Sequence, residues 1–157
     1  MSQGTIRVGV ISDTHGLLRP EATEALRGSD MILHAGDICG FEVVEELRRI
    51  APVTAVRGNN DHDPWGSRLP ETVTVEVGGV RIHMLHDLHQ LAIDPLADGV
   101  RVVVAGHSHQ PMREVRSGIL HFNPGSAGPR RFRLPISVGR LVVRAGRVSA
   151  RVVVIAP

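Results

Sequence analysis

Apolar positions along the chain fall into many short blocks and no long one. Residues 6–12 form a run suited to burial on both faces, which predicts a strand. Pro20 fits the first turn of a short helix that Gly28 stops, and residues 31–35 form a second strand. Across 41–50, Val43, Val44, Leu47 and Ile50 recur at helical spacing, so a helix is predicted there, closed by Pro52. A third strand covers 53–57. Residues 71–77 and 80–85 flank Gly78-Gly79, a hairpin signal. A helix over 88–97 leads to an apolar strand at 101–105. Beyond Arg113 the pattern becomes strand and turn: 113–115 and 119–122 meet at Ser117-Gly118, and 136–143 and 147–155 meet at Ala145-Gly146. Alternating strands and helices followed by hairpins predict an α/β protein with two sheets face to face and helices on the outside. The length of 157 residues, without repeats or a linker, predicts one domain over 1–157.

Composition adds exclusions. With 42% hydrophobic and 22% charged residues the chain is globular in type rather than disordered. No apolar run approaches the ~18–20 residues that span a bilayer. The first residues show neither a basic region nor an apolar core of a signal peptide, so the expectation is a cytoplasmic protein without a membrane partner. The single cysteine, Cys39, rules out an intramolecular disulfide and a CxxC zinc site, and reads as a small buried filler. All 18 basic residues are Arg. A net charge of +2 and four aromatic residues (Phe41, Trp65, Phe122, Phe132) disfavour a nucleic-acid partner. Nine histidines stand out.

The polar residues cluster by position. The first strand is followed by Asp13-Thr14-His15-Gly16, the second by Gly36-Asp37, and the third by Gly58-Asn59-Asn60-Asp61-His62-Asp63. The strand ending at Leu85 delivers His86, and the one ending at Ala105 delivers Gly106-His107-Ser108-His109. Ligands bind α/β sheets at this carboxyl edge. Asp, Asn and His without thiolate suit Mn²⁺, Fe²⁺, Zn²⁺, Ni²⁺ or Co²⁺. Asp13, His15, Asp37, Asn59, His86, His107 and His109 exceed the needs of one tetrahedral ion and fit two ions sharing a carboxylate. Such a pair clamps the attacking and leaving oxygens at phosphorus, so the expected reaction is phosphoester hydrolysis.

The ordered set Asp13-x-His15, Gly36-Asp37, Gly58-Asn59-x-Asp61, His86 and Gly106-His107-x-His109 resembles the calcineurin-like metallophosphoesterase superfamily. Ser12-Asp13-Thr14-His15-Gly16, His34-Ala35-Gly36-Asp37 and Asn123-Pro124-Gly125-Ser126 resemble its small prokaryotic single-domain phosphodiesterases. The resemblance runs over residues 6–131. It implies a four-layer α/β/β/α sandwich of two mixed β-sheets flanked by helices. It also implies two divalent ions, Mn²⁺ first among the candidates: one on Asp13, His15 and His109, the other on Asn59, His86 and His107. Asp37 would bridge them beside a hydroxide that attacks phosphorus in line, and Asp61 would orient a neighbour or a water.

Two positions depart from that family pattern. Where many members carry a His that protonates the leaving alcohol or contacts phosphate, this chain has Asn60. An amide cannot act as an acid near pH 7, so Asn60 is expected to contact substrate, and His62 is the alternative proton source. Asp87 stands where Gly usually follows the ligand His, so His86 and His89 both compete for that role; His86 is preferred because it ends an apolar strand. Arg130-Arg131-x-Arg133 reads as a solvated face, or with Arg130 as a phosphate contact. His34 and His83 read as satisfied residues of strands, and His121 as the same or as a pocket lining. The leading function is a phosphodiesterase for a small or nucleotide-like diester. The alternatives are a phosphomonoesterase or nucleotide pyrophosphatase, a nuclease, and a non-catalytic scaffold like the retromer subunit of this fold; homo-oligomer formation is left open.

Overall fold

The apolar runs close into ten strands, described over residues 4–157 in a computed structural model. In the first sheet β1 (Ile6–Ile11), β2 (Met31–His34) and β3 (Val53–Ala55) run parallel, as strands joined by helical crossovers must. The long hairpin of β9 (Ile136–Arg144) and β10 (Arg147–Ala156) adds antiparallel on the other side of β1, giving the order β10-β9-β1-β2-β3. The second sheet has the order β4-β5-β6-β8-β7, built from β4 (Thr72–Val77), β5 (Val80–Leu85), β6 (Val100–Val104), β7 (Met112–Arg116) and β8 (Ile119–Asn123). Its central strands β5, β6 and β8 are parallel and its edges antiparallel. Both sheets are mixed, and they face one another.

The main core lies between them. Val8 and Val10 of β1 and Leu33 of β2 meet Ile82, Met84, Val102, Val104 and Phe122 of the second sheet, all buried. Each such side chain contributes ~1.5–3 kcal/mol when withdrawn from water. On the outer face of the first sheet, Ile11, Ile32 and Val138 are covered by helices α1 (Pro20–Ala25) and α2 (Phe41–Arg48), through Ala22, Leu26, Val43, Val44 and Leu47.

The second sheet's outer face differs from expectation. The helix predicted over 88–97 is a single 3-10 turn, Leu88–Gln90, followed by irregular chain. Pro95 cannot donate a helical hydrogen bond and pushes Asp94 away from helical backbone angles. Asp87 caps the start of the turn by accepting from the His89 amide at 3.1 Å. Leu88, Leu91 and Ile93 still cover Leu85, Val103, Ala105 and Ile119. The two mixed sheets are as expected, with helices on the first, but the layer over the second sheet is this strap and not a helix. Among the described residues no helix is long and apolar enough to cross a membrane.

Candidate metal centre

Five strand ends, from β1, β2, β3, β5 and β6, open at one edge of the sandwich and carry the polar blocks to it. The backbone there is unusual. Asp13 (φ 56°), His15 (47°), Asp37 (55°), His107 (70°) and His109 (63°) all lie in the left-handed region that non-glycine residues avoid. Such a conformation costs ~1–3 kcal/mol per residue unless its surroundings hold it. They do. The amides of Asp13 and His15 donate to the carbonyls of Gly36 and Asp37 at 3.0 and 2.9 Å, stitching the loop after β1 to the loop after β2. Ser126 Oγ donates to the Asp13 carbonyl at 3.1 Å. Asp13 Oδ2 accepts from Ser12 Oγ at 2.6 Å and from the His107 amide at 3.0 Å.

Asp61 organises the second loop. Fully buried, its carboxylate accepts four backbone N–H groups: Asp37 (3.0 Å), Ile38 (3.0 Å), Cys39 (2.9 Å) and Gly58 (2.8 Å). Its role is to shape the chain that presents Asp37. His34 does related work from behind. The Gly36 amide donates to His34 Nδ1 at 3.1 Å, which leaves the ring proton on Nε2 to donate to Thr14 Oγ1, and Thr14 in turn donates to the Ile38 carbonyl at 3.0 Å. Burial pushes the His34 pKa down to about 3, so the ring is neutral and His34 is the satisfied core residue expected.

Close approach of these loops requires bare backbone. A Cβ at Gly58 would overlap the amide and carboxylate of Asp37, and one at Gly106 would overlap Ser12 Oγ and stand 2.7 Å from Asp13 Oδ2. Gly58→Ala is expected to lower thermal stability by ~1–3 kcal/mol and to weaken divalent-metal binding, read by melting curves with and without Mn²⁺. An unaltered melting curve in both conditions would show that the loops have room to spare.

Within this frame donor atoms converge. His109 Nε2 lies 3.4 Å, His15 Nε2 3.8 Å and His86 Nε2 3.9 Å from Asp13 Oδ1. Asp37 Oδ2 is 3.6 Å from His15 Nε2 and 3.4 Å from His86 Nε2. His107 Nδ1 lies 3.1 Å from Asn59 Oδ1 and 3.3 Å from His86 Nε2. Donors each ~2.1 Å from a shared ion stand about 3–4 Å apart, so these separations suit divalent cations. The fit is supported by what lacks a partner: Asp13 Oδ1 and His15 Nε2 are buried side-chain atoms with no hydrogen bond. His86 Nδ1 donates to the Ala35 carbonyl at 2.7 Å, which fixes its tautomer and turns the Nε2 lone pair toward the carboxylates.

Electrostatics agree. Burial alone would raise the pKa of Asp13, but His109, His86 and Ser12 outweigh it and hold the carboxyl below its ordinary value. Asp37 is likewise held well below the usual range, burial being outweighed by His86 and the amides of Asn60. Burial would lower His86, yet Asp37 and Asp13 hold it above the ordinary value. Without an ion that proton answers the two carboxylates; a cation would take its place.

All seven expected ligands meet at this edge. His86 is in the site, whereas His89 is 96% exposed and turned to Asp87 Oδ1 at 3.2 Å. Asn60 lies against the centre: its amide donates to Asp37 Oδ1 at 2.8 Å and its side chain to Asp37 Oδ2 at 2.9 Å. His62 is exposed on the same loop, and Arg130 is exposed with its guanidinium on the Leu134 carbonyl at 3.1 Å. Cys39 is half-buried, 3.8 Å from His15 Nδ1, and burial with nearby carboxylates pushes its thiol up to about 11. Three contributors escaped the sequence reading. Ser12 braces Asp13; Asn123 donates to the Gly106 carbonyl at 3.0 Å; Asp87 Oδ2 stands 3.9 Å behind His107 Nε2. Asn123 was signalled only by its place in Asn123-Pro124-Gly125-Ser126, and Asp87 only by being unexpected.

Two facing mixed sheets with buried Asp13, Asp37, His86 and His109 and the more exposed His15, Asn59 and His107 at their shared carboxyl edge define a metal-dependent phosphoester hydrolase. Residues 6–146 match the calcineurin-like phosphoesterase superfamily domain, and the chain belongs to that superfamily. It is 39% identical over 132 residues to a probable metallophosphoesterase of Methanothermobacter thermautotrophicus, covering 76% of each chain. It is 30% identical to the phosphodiesterase YfcE of Escherichia coli, covering 83% of this chain and 84% of that one. In fold it is similar to Vps29 of Entamoeba histolytica complexed with Zn²⁺, at a TM-score of 0.73 and 24% identity over 96% of this chain and 99% of the other.

Proposed function

We propose that the chain is a cytoplasmic phosphodiesterase acting on a small or nucleotide-like diester with two divalent ions, Mn²⁺ foremost. Asp13, His15 and His109 would hold one ion and Asn59, His86 and His107 the other, with Asp37 shared. The observation that carries this reading is the buried, unpartnered Asp13 Oδ1 ringed by three imidazole Nε2 atoms at 3.4 to 3.9 Å. When bound, the ions supply a hydroxide nucleophile near neutral pH and neutralise charge at phosphorus. The chain's own residues do the rest. Asp37 is fixed at both oxygens by Asn60, so its position does not drift during turnover.

Two recesses flank His107 and Asp87, one for each arm of a diester. The first, about 350 Å³, is lined by Arg57, Asn59, Glu71, His86 and Gln90. The second, about 320 Å³, is more apolar, with Leu88, Pro111 and Met112. His62 and Arg130 are proposed as rim contacts for substrate.

The test is to strip the protein with chelator, then assay bis-p-nitrophenyl phosphate against p-nitrophenyl phosphate with Mn²⁺, Ni²⁺, Co²⁺, Zn²⁺ or Mg²⁺ restored. Metal-dependent turnover preferring the diester is expected. Preference for the monoester would move the assignment to a phosphomonoesterase. A second reading, a protein-binding scaffold, is favoured by the likeness to Vps29, and absence of turnover with every metal from folded protein would select it.

Asn60 cannot supply a proton, so turnover should depend strongly on the leaving group. Asn60→His is expected to raise kcat/KM on a 2′,3′-cyclic nucleotide, whose leaving group is an alkoxide, by about tenfold relative to the p-nitrophenyl diester. An unchanged ratio would place the acid elsewhere, with His62 next in line.

A further inference from the structure

The modest net charge of +2 conceals a segregation. Residues 115–157 carry eight Arg and no Asp or Glu, while residues 1–114 carry ten Arg and all 16 acids. The β9–β10 hairpin and β1 arrange part of this excess on one surface. Alternation sends Val8, Val10, Leu141, Val143, Val148 and Val152 into the core between the sheets. The intervening positions face out. At the end near the metal site these are Ile11, Val138, Val153 and Ile155, covered by α1 and α2. At the far end they are arginines. Arg140 pairs in register with Arg151, Arg7 with Val142, Val142 with Ser149, and Arg144 with Arg147.

Five guanidinium groups thus occupy three successive rows of one uncovered sheet face. Arg7, Arg144, Arg147 and Arg151 are exposed; Arg140 is half-buried and donates to the Ala25 carbonyl at the end of α1. Among the described residues none of the five is in an ion pair, whereas Arg27, Arg49 and Arg116 elsewhere are each paired with a glutamate. Asp30 lies at the rim, its carboxylate accepting the Arg7 backbone amide at 2.7 Å, and Glu21 and Glu24 of α1 line a recess beside Ile155 of β10. A recess of about 440 Å³ runs between Arg7, Arg140 and Arg151 over Val142 and Ser149.

We propose that this face is a binding surface for the phosphate backbone of a nucleic-acid strand, separate from the metal centre. Guanidinium groups prefer phosphate and bind it in a fork. Rows two residues apart along a strand repeat at ~6.7 Å, on the scale of successive phosphates in an extended nucleic-acid strand and wider than those of inorganic polyphosphate. The face carries no aromatic side chain, so it reads backbone and not bases. It carries no exposed apolar row that would enter a lipid surface. Scarce aromatic residues and a modest net charge disfavour a nucleic-acid partner on sequence alone; the net charge averages this segregation away, and a surface that contacts only backbone needs no aromatic side chains.

Fluorescence anisotropy of labelled (dT)20 with the full-length protein, the probe shown intact afterwards by gel, tests the proposal across a salt series. The R144Q/R147Q/R151Q variant is expected to bind at least tenfold more weakly at 50 mM salt, with the log K against log salt slope smaller by about 2, from ~0.7 per lost phosphate contact. R27Q/R49Q/R116Q removes the same charge from paired arginines and should bind within threefold of the unaltered protein. Absence of binding by the unaltered protein at 50 mM salt, or equal losses in the two variants, would overturn the surface. Competition by inorganic polyphosphate as strong as by unlabelled (dT)20 at equal phosphate would overturn its assignment to a nucleic-acid backbone. Matching melting curves of the two variants confirm that folding is not the variable.

Discussion

Asp37→Asn is expected to lower kcat/KM on bis-p-nitrophenyl phosphate by at least ~100-fold, while the metal-free protein keeps its fold to within about 1 kcal/mol. Groups that merely support a metal ligand cost ~10–100-fold when removed, so a carboxylate shared by two donor sets should cost more. Its Oδ2 stands between His15 and His86 at 3.6 and 3.4 Å, and an amide there brings no charge to either. The local cost to folding is small because Asp37 leaves one carboxylate contact with Asn60 intact in either amide orientation, and a single lost hydrogen bond is worth ~0.5–1.5 kcal/mol. Steady-state kinetics at saturating Mn²⁺, with melting curves in chelator, check both halves. Activity within tenfold of the unaltered protein would remove Asp37 from the shared position.

Asp61→Ala should show the opposite balance: a loss of ~4 kcal/mol or more in stability, with activity lost as a consequence. Four buried N–H groups lose their acceptor at once, and each unsatisfied group costs ~1–3 kcal/mol before the loop relaxes. For a chain of this size that lowers the melting temperature by roughly 10 °C. Asp61→Asn is no rescue, because each carboxylate oxygen accepts two amides and an NH₂ in either place would confront two donors. Lost turnover with an unmoved melting temperature would refute the clamp and leave Asp61 as the residue that orients a neighbour or a water.

These two aspartates mark what could be read from the chain and what could not. Asp37 follows an apolar strand and a glycine, so its arrival at the sheet edge is implied by local pattern. The same holds for Asp13, His86 and His107. Asp61 lies in the same kind of block, but three of its partners are backbone amides from a loop 22 to 24 residues away and the fourth is the amide of Gly58, and main-chain donors leave no mark in side-chain identity. The strap over 88–97 misled for a related reason. Leu88, Leu91 and Ile93 have apolar positions for burial whether or not a helix forms, and the Asp94-Pro95 step decides the backbone. The basic face was hidden by arithmetic, since it exists only once register puts Arg7 of β1 beside the β9–β10 hairpin.

The donors do not come from one sheet. Asp13, Asp37 and Asn59 extend from strands of the first and His86, His107 and His109 from strands of the second. Any cation held by both sets fastens the two halves of the sandwich together, like a rivet driven through their rim. A chelator then acts as a selective denaturant: ions at 100 times their dissociation constant stabilise the native state by ~2.7 kcal/mol, and stripping them returns that amount to the unfolded side. Cellular supply of the metal would accordingly govern how long this protein survives as well as how fast it turns over.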